Sequence, residues 1–214
     1  MTNTSDIFFS RLVSDLHPVR PLSFVRGLSY ALGAAIMSAL SVIVMFGFRA
    51  DLMSGRFDQV YLIATGLFLV LGIAAAVTVI LMSRPQVGNV YRGWMWAAAM
   101  VALLPIVAVM AGLGGGNAML SGESVAHGLE CLVIGSGSSL LVFAILVGWL
   151  RKGAPTSPDR AGLLTGIAAG SLGIFAFSLH CADNGIVHIG LWHSGVVLLM
   201  AAIGRALVPP LVRW

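Results

Sequence analysis

Cys131 and Cys181 are the only thiols in this 214-residue chain, and four of its five histidines, His127, His180, His188 and His193, fall in the same two stretches. Glu123, Glu130 and Asp183 complete the polar set. Thiolate with imidazole suits zinc, copper or a softer metal, whereas a pair of thiols equally suits a reversible redox switch. His127 and Cys131 are four apart, so on a helix that begins near Ser124 they share one face. His180 and Cys181 are adjacent, with Asp183 just beyond. The spacing is not that of a zinc finger. Three readings therefore stay open: a reversible dithiol and disulfide pair, metal sensing through the same thiols, and a static disulfide or unconnected structural cysteines. The identity of any metal is open as well. For each histidine taken alone, the plainer reading is an interfacial ring hydrogen-bonded to a loop.

The elements that must carry these residues follow from composition. The chain is 58% apolar with a mean hydropathy of +0.98, and only 9% of its residues are charged, against roughly 25% in a soluble domain. Such a surface has to face lipid. Six apolar runs approach or exceed the ~20 residues needed to cross a bilayer: Leu28 to Phe48, Val60 to Met82, Trp94 to Leu113, Cys131 to Leu150, Ala161 to Leu179, and Ile189 to Leu207. The expected fold is all-α, a polytopic membrane bundle of six transmembrane helices (residues 28–214) behind a tail (residues 1–27). The first run is too long for a signal-peptide core and has no convincing cleavage site, so it is expected to stay in the mature protein.

Lys and Arg near span ends resist translocation. Ten of the twelve basic residues flank the spans on one side, and only Arg49 and Arg56 occur on the other. Both termini are therefore expected in the cytoplasm, with the two cysteines outside, where disulfides can persist. Trp94, Trp96, Trp149, Trp192 and Trp214 fall near run ends, at the level of the headgroups. Gly162, Gly166, Gly170 and Gly173 give the fifth span a small-residue face suited to close helix packing.

The middle of every span lacks a carboxylate, so a proton relay of the kind carriers use is not evident. No phosphate loop, nucleophile elbow or His-Glu-x-x-His motif occurs. The chain is expected to be no enzyme and to use no cofactor. In the tail, residues 5 to 17 read as a short amphipathic helix. Ser5 or Asp6 would cap it, Phe8, Phe9, Leu12, Val13 and Leu16 form its apolar stripe, and Pro18 would end it. About a dozen residues of helix are marginal alone in water, so it needs the membrane interface or a groove on a partner to lie on.

The chain resembles the NrsF family, six-span bacterial inner-membrane anti-sigma factors of extracytoplasmic-function sigma factors. The matching residues are Asp15-Leu16-His17-Pro18-Val19-Arg20-Pro21, Arg49-Ala50-Asp51-Leu52, Arg151-Lys152-Gly153-Ala154-Pro155, His180-Cys181, Leu191-Trp192-His193 and the closing Val212-Arg213-Trp214. The resemblance implies that the cytoplasmic tail binds the sigma factor, with Asp15, Leu16, Pro18, Val19 and Arg20 as its contact residues. It implies that Cys131 and Cys181 respond to metal or oxidative stress, with His127, His180, Asp183, His188 and His193 as candidates to ligate a metal or support its ligands. Where the family carries an acidic, proline-containing stretch after His-Cys, this chain has Ala182-Asp183-Asn184-Gly185. That departure bears on metal coordination by the loop more than on thiol chemistry. The implied partners are the sigma factor and the bilayer, with no direct contact to nucleic acid. Two rivals remain at this point: a membrane thiol oxidoreductase coupled to quinone, and a small transporter.

Overall fold

The computed structural model describes residues 4–14, 22–56, 58–85, 92–114 and 122–212. Its elements are α1 (Thr4–Ser14), α2 (Phe24–Phe46), α3 (Ala50–Met53), α4 (Gln59–Met82), α5 (Gly93–Gly114), α6 (Gly122–Leu150), α7 (Pro158–Ser178), α8 (Ile186–His188), a π-helical turn (Ile189–His193) and α9 (Ser194–Val212). No strand occurs among the described residues. Six helices are long and apolar enough to cross a membrane, the sixth running from α8 through the π turn to the end of α9. The protein is thus an all-helical bundle with six membrane-spanning-capable helices.

Several helices outrun the apolar stretches that announce them. α6 starts nine residues before Cys131, because Ser124, His127 and Glu130 break the apolar run without breaking the helix. Cys131 therefore sits inside the helix, more than two turns from its start.

Leu32, Ile36, Met37, Leu40 and Val44 on α2, and Leu103, Ile106, Val107 and Met110 on α5, are exposed apolar side chains. In a bilayer they meet acyl chains, so their exposure carries no penalty. α7 is the opposite case: 15 of its 21 residues are buried, and it packs against α4, α6 and α9. A helix at the centre of a bundle fits only if its neighbours can approach closely, and its glycines allow this. A Cβ on Gly166 would lie 2.0 Å from the Met200 carbonyl oxygen, and one on Gly162 would lie 2.5 Å from that of Gly204. On the α6 side, a Cβ on Gly173 would lie 2.1 Å from Ser139 Oγ. The small-residue face is used within the chain.

The bundle has two ends with different ties. At one, Arg84 Nη2 donates to the Leu22 carbonyl at 2.7 Å, the Ala154 amide donates to the Ser83 carbonyl at 2.9 Å, and Trp149 Nε1 donates to Ser83 Oγ at 3.1 Å. Trp149 is buried. Its indole anchors one helix to a neighbouring loop and is covered by protein, where its position near a run end suggested a ring facing the headgroups. At the other end the α2–α3 connection meets the segment between α7 and α8, and the cysteines lie there.

α1 is helical over Thr4–Ser14, and its described side chains, Ile7 to Ser14, are all exposed, polar and apolar alike. The side chains of Ser5 and Asp6, and residues Leu16 and Pro18, lie outside the described residues.

Candidate functional site

Cys131 and Cys181 come from different segments, α6 and the stretch after α7, and meet inside the protein. Their sulfurs are 3.9 Å apart, and both residues are buried and unbridged. Cys131 is carried by α6. Cys181 follows the end of α7, held by its amide donating to the Phe177 carbonyl at 3.2 Å. Cys181 Sγ also contacts His188 Nε2 at 3.6 Å. The other ring nitrogen of His188, Nδ1, faces Asp183 Oδ2 at 3.3 Å. The ring of His127 stacks on that of His188, with centroids 5.1 Å apart and planes 29° from parallel. The donor atoms of His127, Cys131, Cys181 and His188 all lie within 4.8 Å of one another.

Local chain geometry explains how residues from three segments converge. One α-helical turn separates His127 from Cys131, as their spacing requires. Gly128 gives that turn room, since a Cβ there would lie 2.0 Å from the Trp192 ring. His188 and His193 are five apart, which on an α-helix would place them well off a common face. The π-helical turn between them widens the coil, so the rings meet at 5.2 Å with planes 78° apart. Single π turns of this kind are frequent at functional sites. Asp183 further shapes the loop by accepting from the Gly185 amide at 2.8 Å.

Hydrogen bonding from the Cys131 thiol pulls the Cys181 thiol below its ordinary pKa, against a desolvation cost, and the His188 and His193 rings act in the same direction. That direction favours the thiolate form at Cys181. A thiolate is both the metal ligand and the nucleophile of thiol chemistry.

His193 is buried, and its Nε2 makes no hydrogen bond among the described residues. Its ring packs near those of Phe68 and Phe177. His180 stands apart from the four-donor group: its Nδ1 bonds the Gly47 carbonyl oxygen at 3.2 Å, and its ring packs near Phe46 and Phe177. Asp15, Leu16, Pro18, Val19 and Arg20 lie outside the described residues.

Arg49 is the residue that sequence reasoning left without a role at the site. It is 3% exposed. Its guanidinium donates to the Cys181 carbonyl, to both carboxylate oxygens of Asp51 and to Asn184 Oδ1, and it lies 4.3 Å from the centroid of the Tyr61 ring. Its amide donates to the Leu179 carbonyl at 3.1 Å. Donation from Arg49 holds the Asp51 carboxyl below its ordinary pKa, with burial opposing. The signal available beforehand was an Arg-x-Asp pair on the side where basic residues are scarce.

A cavity of about 350 Å³ lies between α2 and α6, lined by Ser38, Ser41, Ser138, Met45, Phe46 and Leu141 among others. No titratable side chain lines it, so it offers no relay of the kind proton-coupled transport uses.

The profile of a family described as negative regulator of sigma F matches residues 12–214. The chain is 28% identical to the anti-sigma-F factor NrsF of Caulobacter vibrioides over 207 residues, 92% of this chain and 90% of that protein. It is 33% identical to the probable anti-sigma-F factor NrsF of Azospira oryzae over 85 residues, which span 40% of each chain. No solved structure matches.

Proposed function

The chain belongs to the NrsF family, the negative regulators of sigma F, and from that premise we propose that it is a multi-pass inner-membrane anti-sigma factor governed by its buried thiols. Its partner in this reading is an extracytoplasmic-function sigma factor, held in the cytoplasm by the tail through Asp15, Leu16, Pro18, Val19 and Arg20. Metal or oxidant at Cys131 and Cys181 releases it. The role is regulatory, and no catalytic step is assigned to the chain.

The single observation that carries this reading is the connection made by α2. At one end, Leu22 adjoins the tail and is bound by Arg84. At the other, the segment just past α2 delivers Arg49 to the carbonyl of Cys181. The helix between them is 23 residues, about 35 Å at 1.5 Å per residue. A change at the sulfurs thus meets a rigid rod leading to the tail.

The buried face of α2 is built mostly from small residues, Gly27, Ala31, Ala34, Ser38 and Val42. Oxidation would take two electrons to the oxidant, release whatever protons the two sulfurs still carry and bring the sulfurs ~2 Å closer to form the S–S bond. Metal capture would draw Cys181 and His188 toward one point. Either event displaces the segment that Arg49 grips, and release then requires α2 to have a second packing of comparable energy.

The distribution of charge supports a cytoplasmic tail and an outer thiol cluster. Arg26, Arg84, Arg92, Arg151, Lys152, Arg160 and Arg205 surround the end near Leu22, whereas Arg49 and Arg56 are the described basic residues at the cysteine end. The test is a transcriptional reporter of the sigma factor in cells carrying Cys131→Ser or Cys181→Ser. Both variants should lose induction by metal and oxidant, and undiminished induction would refute the sensing role.

A further inference from the structure

We infer that His127, Cys131, Cys181 and His188 form a four-coordinate site for zinc or a softer closed-shell cation, with Asp183 orienting the His188 ring. This deepens the sensing role proposed above and takes its physiological meaning from it.

The distances fit the chemistry. A tetrahedral zinc with Zn–S near 2.3 Å and Zn–N near 2.0 Å sets edges of about 3.8 Å between sulfurs and about 3.5 Å between sulfur and nitrogen. The two contacts in the structure are 3.9 Å and 3.6 Å. A pair arranged only for a disulfide has no need of two imidazoles within 4.8 Å of both sulfurs. Two sulfurs and two nitrogens in this arrangement select zinc and softer cations over magnesium or calcium, which prefer oxygen.

Asp183 faces Nδ1 of His188 while Nε2 points at Cys181. That is the carboxylate–histidine–metal arrangement, in which the carboxylate fixes the tautomer and raises ligand basicity. His193 adds a second observation. Its buried Nε2 lacks a hydrogen bond beside the cluster, so the pocket holds more polar capacity than the protein's own contacts use. His127 is exposed and marks the side from which a cation arrives. Both sulfurs ligate as thiolates, so binding releases any proton they carry to solvent.

The test is titration of the full-length protein in lipid nanodiscs with Co²⁺, followed by Zn²⁺. One equivalent of Co²⁺ should give tetrahedral ligand-field bands together with a thiolate-to-metal charge-transfer band, and Zn²⁺ should abolish both. His127→Ala and His188→Ala should each weaken binding roughly tenfold or more, Asp183→Asn by about tenfold, and His180→Ala should leave it unchanged. X-ray absorption of the Zn²⁺-loaded wild type should show two sulfurs and two nitrogens, a reading that depends on no variant folding. Binding by His127→Ala and His188→Ala as tight as wild type, or a shell without two nitrogens, would overturn the site. These readouts contain no sigma factor. A protein that binds metal as described yet keeps its partner would refute the sensing role and leave the site standing.

Discussion

The guanidinium of Arg49 donates to the main-chain carbonyl of Cys181, 132 residues further along the chain. The same guanidinium is paired with Asp51 and Asn184 and covered by Tyr61, so it ties the connection after α2 to the segment that carries Cys181. Any displacement of Cys181 has to be absorbed by this group or passed to α2.

Replacing Arg49 should therefore uncouple sensor from tail. Arg49→Ala leaves a carboxylate, an amide oxygen and a carbonyl without their donor, at a cost of about 2 kcal/mol. Arg49→Lys keeps the charge but loses the planar fork that serves several acceptors at once. Reporter induction by metal should fall in both variants, more in Ala than in Lys, while thiol reactivity toward a maleimide is retained. Full induction in Arg49→Ala would exclude this route.

The Arg49–Asp51 tie carries its own pH signature. Asp51 has a folded-state pKa below the ordinary carboxylate value. Its contribution to stability is therefore fully present above about pH 4 and is lost as pH falls through the lowered pKa. Thermal unfolding of wild type and Asp51→Asn in nanodiscs should differ near neutrality and converge in acid. A gap that widens on acidification would contradict the pairing.

The contact between α7 and α9 leaves no room for a side chain. Gly166→Ala would place its Cβ 2.0 Å from the Met200 carbonyl oxygen, and overpacking of this kind costs about 1–3 kcal/mol. Gly137→Ala, which meets nothing within 4 Å, is the matched control. Unfolding should move to lower temperature for Gly166→Ala alone, and equal stabilities would refute the packing.

The sequence made the helices legible because transmembrane spans are written in long apolar runs, and α7's role as the central helix was foreshadowed by Gly162, Gly166, Gly170 and Gly173. His127 with Cys131 was legible for a similar reason, since spacing by four has one meaning on a helix. The meeting of α6 with the loop after α7 was not. It depends on Gly128 making space for Trp192 and on a π turn that brings His188 and His193 together, and neither has a signature in residue order. Arg49 was hidden by its own type. A basic residue beside a span reads first as a topology marker, and only tertiary structure shows it buried against Cys181. Trp149 misled similarly: its place near a run end suggested the interface, and Ser83 holds it inside.

The tail carries the output in this account. Leu16→Ala and Pro18→Ala should raise sigma-dependent transcription in unstressed cells, with thiol reactivity at Cys131 and Cys181 unchanged. Wild-type repression by both variants would assign partner binding to another segment.

The central claim, that the thiol cluster controls retention of the partner, is tested most directly by recovering the full-length protein from membranes with its sigma factor attached. Recovery should be compared before and after exposure to metal or oxidant, in wild type and in the double Cys131→Ser, Cys181→Ser variant. The account predicts that wild type loses its sigma factor on exposure and the double variant keeps it. Equal loss from both proteins, or none from wild type, would contradict it.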